Sequence, residues 1–171
     1  MTAHAHAARE GLPLLSRRGL AFAGVAALSV IATSTAGRLI SAVPVAGWYK
    51  TLAKPSFNPP NWAFPVAWTL LFVLMGVAFW RVLRTPSAAL RTRAMQLFLA
   101  QLVVNVGWST AFFGARSPAL GLVVIVPFWL LIVATTRAFR AVDRAAAWLL
   151  APYLAWVAFA AVLNAAIVVM N

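Results

Sequence analysis

Residues 48–62 have the sequence WYKTLAKPSFNPPNW and connect two apolar stretches that are each long enough to cross a bilayer. The segment contains three prolines within six residues, Pro55, Pro59 and Pro60, and a tryptophan at each end. Proline fixes the backbone φ angle, so this connector is stiffer than the short polar loops that usually join membrane helices. We therefore predict that it forms a lid over a pocket.

The composition predicts an integral membrane protein. Of the 171 residues, 64% are hydrophobic and 9% are charged, which leaves too little polar surface to cover a soluble domain of this size. The expected partner is therefore the lipid bilayer. The chain contains no cysteine, which excludes disulfides, thiol catalysis and thiolate metal sites.

Five apolar stretches predict the fold class, an all-α integral membrane protein built as a bundle of five transmembrane helices. These helices are placed at residues 19–40, 62–83, 95–113, 119–139 and 146–170. Residues 1–18 show no sustained apolar period and are predicted to be a disordered cytoplasmic tail, and residues 41–61 are the predicted lid loop. The first stretch also resembles a signal peptide, but it is longer than a usual signal core, so we expect a retained helix.

The positive charges predict the orientation of the bundle. Of the 14 lysines and arginines, ten lie in the tail and in one set of alternate connectors, and four lie on the other side. Because basic residues accumulate on the cytoplasmic side, we expect a cytoplasmic N terminus, an external C terminus and an external loop 48–62, in a bacterial cytoplasmic membrane. The net charge of +12 lies in short clusters between apolar spans, so no nucleic-acid partner is expected.

Three predicted helices carry aromatic or amide side chains at helical spacing. On one face of each helix lie, in chain order, Phe64, Trp68, Phe72, Met75 and Phe79; Gln101, Asn105, Trp108 and Phe112; and Tyr153, Trp156, Ala160 and Asn164. At about 1.5 Å of rise per residue, these groups converge in the outer half of the bilayer, beneath the loop. The stripes fit a ligand pocket, and they equally fit plain packing with interhelical hydrogen bonds. Tryptophans at span ends, such as Trp48, also fit anchoring at lipid headgroups.

Groups for acid–base or metal chemistry are scarce. Glu10 and Asp143 are the only carboxylates, and the sequence has no phosphate-binding glycine loop and no nucleophile elbow. Two histidines in the tail make an incomplete metal site. We expect no catalytic residue, no metal, no required cofactor and a non-enzymatic role. Asp143 is expected to pair with Arg140 or Arg144, or to cap the fifth helix.

A series of short motifs runs through residues 20–165: Trp48-Tyr49, Lys54-Pro55-Ser56, Pro59-Pro60-x-Trp62, Phe64-Pro65-x-Ala67-Trp68-Thr69, Met75-Gly76, Ala100-Gln101-Leu102-x-x-Asn105-x-x-Trp108, Phe112-Phe113-Gly114, Pro152-Tyr153-Leu154-x-Trp156 and Leu163-Asn164. These motifs resemble those of the tryptophan-rich sensory protein family, which includes TspO and the translocator protein or peripheral benzodiazepine receptor. Phe57 stands where relatives often have tryptophan. The end of the fifth helix lacks the aromatic–basic motif that recognises cholesterol in animal members.

The resemblance implies a five-helix bundle, commonly a homodimer, that binds porphyrins and related tetrapyrroles in a pocket closed by the loop. By motif position, the implied ligand-binding residues are Trp48, Tyr49, Pro59, Trp68, Phe72, Asn105, Trp108 and Trp156.

From the residues and the resemblance together, we expect a binding and sensing protein for a flat anionic tetrapyrrole, such as a porphyrin or a haem precursor. Indole rings would stack on the macrocycle, and Arg38, Lys50 and Lys54 would attract its propionates. Two alternatives remain open. One is facilitated transport of the same ligand across the membrane, and the other is its tryptophan-assisted photo-oxidation.

Overall fold

A computed structural model describes residues 16–171, and this part of the chain is helical almost throughout. The helices are α1 (Arg17–Ala46), α2 (Trp48–Thr51), α3 (Ala63–Leu83), α4 (Ala88–Ser109), α5 (Pro118–Val142), α6 (Arg144–Leu149) and α7 (Ala151–Met170). A single π-helical turn, Thr110–Gly114, continues α4.

Within residues 16–171, five helical segments are long and apolar enough to span a membrane, which confirms the predicted fold class. They are α1, α3, α4 with its π turn, α5, and α6 with α7. Around the bundle the neighbours follow the order α3, α1, α4, α5, α7, and α7 makes only sparse contact with α3. We call the end of the bundle that carries residues 47–62 the loop end.

The predicted boundary between the first helix and the lid loop was wrong. Residues 41–46 belong to α1, and residues 48–51 form the short helix α2. Pro44 lacks an N–H group, but it lies in the last turn of α1, and the helix continues until the Gly47 N–H donates to the Val43 carbonyl (3.2 Å). The connector outside α1 and α2 is therefore shorter than predicted.

The predicted tail also ended too late. Arg17 and Arg18 already belong to α1, because the Ser16 hydroxyl accepts a hydrogen bond from the Gly19 N–H (3.0 Å) and caps the helix. The rest of the predicted tail, residues 1–15, lies outside the described residues.

Two further boundaries differ from the prediction. α4 begins at Ala88 rather than at residue 95, so its first two turns were missed. The fifth predicted helix, 146–170, is divided at Leu150 into α6 and α7. Pro152 lies in the first turn of α7, where its missing N–H costs little.

The half of the bundle away from the loop end is solidly packed. Phe98 of α4 stacks between Phe79 of α3 (ring centroids 4.2 Å apart) and Phe139 of α5 (5.6 Å). Met75 and Ile132 are fully buried beside them. Since lipid tails are as apolar as these rings, close packing rather than a hydrophobic driving force holds this half together.

Asp143 joins α5 to α6 and binds α3. Its carboxylate accepts from the N–H groups of Ala145 (2.8 Å) and Ala146 (3.2 Å), which confirms the predicted cap. Its ion-pair partner is Arg81 (2.9 Å), and not Arg140 or Arg144. Arg81 lies in the last turn of α3, which brings its side chain beside the turn that Asp143 caps. Partial burial raises the pKa of the Asp143 carboxyl, but the bonds from Arg81 and the backbone outweigh it, so its pKa lies below the usual value.

Replacing Asp143 tests this junction. We expect Asp143→Ala to lower the free energy of unfolding by about 1 kcal/mol through the lost cap, with a smaller share from the partly exposed ion pair. Asp143→Asn should retain most of the cap and serve as the control. Because the pKa in the folded protein is lowered, the carboxylate stabilises the fold above about pH 4 and loses this effect as the pH falls through the folded pKa. Thermal unfolding in detergent at pH 7 and pH 3 measures both effects. An unchanged Asp143→Ala melting curve at pH 7 would refute the assignment.

Candidate ligand-binding site

A cavity of about 670 Å³ lies at the loop end of the bundle, between α1, α2, α3, α4 and α7. Its volume falls in the range of small-molecule sites, about 300–1,000 Å³. Most of its lining is apolar, and its polar groups are few. The cavity begins where the packed half of the bundle ends.

One wall of the cavity consists of aromatic rings from α3 and α7. Trp68 lies 5.5 Å from Phe72, and Phe64 lies 6.0 Å edge-on from Trp156, measured between ring centroids. The indole N–H groups of Trp68 and Trp156 have no hydrogen-bond partner among residues 16–171. This wall therefore offers flat faces and two free donors.

A second aromatic cluster lines the cavity, from α2 and the end of α4. Trp108 stacks on Phe112 at 5.6 Å, and Phe113 packs edge-on against both Phe112 (4.8 Å) and Tyr49 (5.8 Å). Contacts of this kind contribute about 0.5–1.5 kcal/mol per pair beyond simple burial. The cluster closes the cavity on the side nearest the loop.

The π turn that continues α4 carries two consecutive phenylalanines that both line the cavity. In an α-helix, neighbouring side chains point about 100° apart, so Phe112 and Phe113 would not share a face. Here the Ala115 N–H donates to the Thr110 carbonyl (2.8 Å) and the Ser117 N–H to the Phe112 carbonyl (3.1 Å), both five residues back. Both rings line the cavity within this wider turn, and π turns are frequent at functional sites.

A buried polar chain forms the floor of the cavity. The Tyr153 hydroxyl donates to Gln101 Oε1 (2.7 Å), and Asn105 Nδ2 donates to the Tyr153 hydroxyl (3.2 Å). Gln101 Nε2 is buried without a partner among the described residues. Asn105 lines the cavity, and its Oδ1 has no partner in that part of the chain, so it is a free acceptor.

Asn164 of α7 is held at the edge of the cavity by two neighbouring helices. Its Nδ2 donates to the Pro118 carbonyl at the start of α5 (2.8 Å), and its Oδ1 lies 3.5 Å from the Trp108 indole nitrogen. Gly121 makes this arrangement possible. A Cβ atom there would lie 2.7 Å from Phe112 Cδ2 and 2.8 Å from Asn164 Oδ1, which is too close for either group to stay in place.

Tyr49 is the residue of α2 that closes the cavity. Its hydroxyl donates to Asn58 Oδ1 (3.2 Å), and the Lys54 ammonium lies 4.7 Å from its ring centroid. Burial raises the pKa of the Tyr49 phenol, so the hydroxyl stays protonated and remains a donor at neutral pH. Lys54 is thus held by the loop itself and does not line the cavity.

The fifth lining element is a strip of small and polar residues along α1. The strip consists of Thr33, Ser34, Gly37, Arg38, Ser41, Ala42 and Val45. Its members recur as adjacent pairs four residues apart, which places them on one helix face. Among the described residues, Arg38 is the only charged one in the lining.

Comparison with known proteins places this architecture in a family. The model of the TspO/MBR family matches residues 23–170. The chain belongs to the TspO/MBR family. It is 46% identical over 142 residues to the tryptophan-rich protein TspO of Chlorobaculum tepidum, which covers 82% of this chain and 90% of the relative. It is 41% identical over 117 residues to the tryptophan-rich sensory protein of Cereibacter sphaeroides (68% and 72%), and 37% identical over 119 residues to the translocator protein of Homo sapiens (68% and 70%).

Membership in the TspO/MBR family confirms the resemblance seen in the sequence, and the structure brings most of the implied pocket residues together. Tyr49, Trp68, Phe72, Asn105, Trp108 and Trp156 all line the cavity. Trp48 does not line it, but packs edge-on against Phe112 at 5.8 Å. Pro59 lines a separate groove between α3 and α7. Ligand contact by any of these residues stays a prediction.

Sequence reasoning missed the α1 strip and Phe113. The strip was visible as the repeated pairs Thr33-Ser34, Gly37-Arg38 and Ser41-Ala42, but small residues in a membrane helix are common and carry little weight alone. Phe113 could not be assigned to the cavity because the α-helical period places it beside the stripe.

A pair of glycine substitutions tests the packing of this TspO/MBR cavity. Gly121→Ala should push Phe112 and Asn164 out of position and destabilise the protein by about 1–3 kcal/mol through overpacking. Gly107→Ala is the matched control, because a Cβ there meets open space, and alanine favours a helix by about 0.5–1 kcal/mol. Thermal unfolding in detergent should therefore shift in opposite directions for the two variants. Equal melting temperatures would contradict the close contact at Gly121.

Proposed function

We propose that this TspO/MBR protein is a membrane sensor or translocator that binds a flat aromatic ligand of the porphyrin or tetrapyrrole class in the loop-end cavity. The relatives named tryptophan-rich sensory protein and translocator protein support the broad role. The observation that carries the finer proposal is the set of aromatic rings that line the cavity, among them Trp68 and Trp156, whose indole N–H groups have no partner among residues 16–171.

The free donors favour an occupied cavity. An indole N–H that lies in hydrocarbon without a partner costs free energy, because hydrocarbon accepts no hydrogen bond. A ligand that brings acceptor groups to Trp68 and Trp156 would remove this cost. The aromatic lining favours a flat ligand, because Trp68, Phe72 and Trp108 all line the cavity and their rings can stack on a planar ring system.

The other polar groups of the cavity fit a ligand that carries both hydrogen-bond donors and acidic groups. Asn105 offers a free acceptor at the floor, where a pyrrole N–H of a metal-free macrocycle would be a suitable donor. Arg38 offers a permanent positive charge at the side of the cavity. A porphyrin with acidic side chains carries both kinds of group, together with large flat faces for stacking.

Several finer statements remain predictions. They are the external position of the cavity, homodimer formation, transport of the ligand and its photo-oxidation. None of them is needed for the binding proposal, which depends on Trp68, Trp156 and the aromatic walls.

Titration with protoporphyrin tests the proposal. The purified protein should shift the porphyrin absorbance band saturably, with one ligand per chain. The double variant Trp68→Ala, Trp156→Ala should bind at least about tenfold more weakly per ring removed, as expected for central aromatic contacts. Trp68→Phe and Trp156→Phe keep a stacking face but lose the N–H, so each should lose about two- to tenfold.

Trp148→Ala is the matched control for these substitutions. Trp148 is 76% exposed and does not line the cavity, so its removal changes the tryptophan count without changing the site. Unchanged affinity in the double alanine variant, or an equal loss in Trp148→Ala, would place the ligand elsewhere.

A further inference from the structure

The cavity has a side opening between α1 and α3. Every lining residue from α2, α4 and α7 is buried or half-buried. The exposed lining residues all lie on the loop-end half of α1, just before α3 or in its first two turns: Arg38, Ala42, Val45, Asn61, Pro65 and Thr69. We call this opening the side mouth.

α1 and α3 are joined at the end of the bundle away from the loop. There the Trp80 indole N–H donates to the Gly19 carbonyl (3.1 Å), and Gly76 lies against Val30, with only 3.4 Å from an added Cβ to Val30 Cγ2. Within residues 16–171, no hydrogen bond connects the loop-end halves of α1 and α3. The two helices therefore meet below the side mouth and leave it open.

The side mouth faces hydrocarbon and not water. Its α1 edge is continued by Leu39 and Val43, which are 74% and 73% exposed. Its α3 edge is continued by Val66 and Leu70, which are 60% and 57% exposed. Apolar side chains exposed on a membrane-spanning helix contact lipid tails. A molecule dissolved in the lipid leaflet at the loop end would thus reach the cavity directly.

The route from the aqueous side is closed by the loop. The Asn171 side chain accepts from the Ala53 N–H (3.0 Å) and donates to the Ala53 carbonyl (3.1 Å), which ties the loop to the end of α7. Phe57 of the loop packs edge-on against Phe159 of α7 at 6.4 Å. A ligand entering from water would have to break these contacts, whereas one entering through the side mouth would not.

Arg38 lies at the side mouth with its charge uncompensated. Within the described residues its guanidinium has no hydrogen bond and no ion pair, and the one acidic side chain there, Asp143, binds Arg81 at the far end. Arg38 is eight residues before the end of α1, about 12 Å along the helix. An arginine at this depth requires an anionic partner or a path to the headgroups.

We propose that the cavity is loaded sideways from the leaflet at the loop end, through the side mouth, and that Arg38 selects membrane-dissolved ligands that carry an acidic group. This inference rests on the proposed function, since it assumes that the cavity binds a ligand. The ligand class that it defines is an amphiphile with a flat apolar body and a carboxylate that stays near the lipid headgroups. Arg38 would bind that carboxylate while the body passes between α1 and α3.

Blocking each route in turn tests the entry path. Ala42→Trp places a large ring in the side mouth, and association of protoporphyrin with the protein in liposomes should slow by about tenfold or more. Val43→Trp, on the adjacent lipid-facing position, is the matched control and should leave the association rate unchanged.

A cross-link across the loop tests the other route. Because the chain has no cysteine, Ala53→Cys with Asn171→Cys allows the loop to be locked with a short bismaleimide, and the locked protein should load at the wild-type rate.

The opposite pattern would overturn the side-entry inference. If the locked loop stops association while Ala42→Trp loads normally, the ligand enters from water. Thermal unfolding of each variant confirms that it is folded. Failure of the proposed function is distinguishable, because the wild-type protein itself would then show no saturable binding.

The selectivity of Arg38 is tested with two ligands of the same shape. Arg38→Gln should weaken protoporphyrin binding by about tenfold or more, the range of a charge-assisted hydrogen bond, and leave binding of the uncharged dimethyl ester unchanged. Arg38→Lys should retain part of the preference, and Arg116→Gln, outside the cavity lining, is the control. Measurements in zwitterionic and in anionic liposomes separate the sources of the anion. Two results would assign Arg38 to the lipid headgroups. One is that Arg38→Gln weakens binding of the acid and of the ester equally. The other is that anionic lipid abolishes the preference of the wild-type protein for the acid.

Discussion

The hydrogen bonds between Tyr153 and two amides of α4 divide the bundle into a packed half and a hollow half. In hydrocarbon, a polar side chain must find a protein partner, so Tyr153 of α7 holds Gln101 and Asn105 of α4 at one level. On one side of this level, the rings of Phe79, Phe98 and Phe139 fill the interior. On the other side of this level lies the cavity, which Asn105 lines.

Much of the architecture could be predicted from the sequence. The five spans follow from apolar runs of sufficient length, and the aromatic stripes of α3, α4 and α7 follow from a period of three to four residues. These signals are strong because each repeats over many residues. Boundaries were less accurate, as at α1 and α4, because the end of a helix depends on single capping contacts such as that of Ser16.

The parts of the site that the sequence did not predict depend on three-dimensional detail. The lining strip of α1 consists of residues that are ordinary in any membrane helix, and only the divergence of α1 from α3 makes them significant. The predicted lid turned out to be mainly Tyr49, while Phe57 and Ala53 contact α7 and Pro59 lines a separate groove. Interhelical distances of this kind are not encoded in a periodic pattern.

The π turn at Thr110–Gly114 has a consequence for how the cavity can change during evolution. A π turn uses one residue more than an α-helical turn, so a single-residue insertion or deletion there can create or remove it. Such a change would rotate only the last turn of α4 and exchange Phe113 for a neighbouring side chain, while Trp108 and the rest of α4 keep their places. One wall of the cavity can thus be varied by a change in length, independently of the other four transmembrane segments.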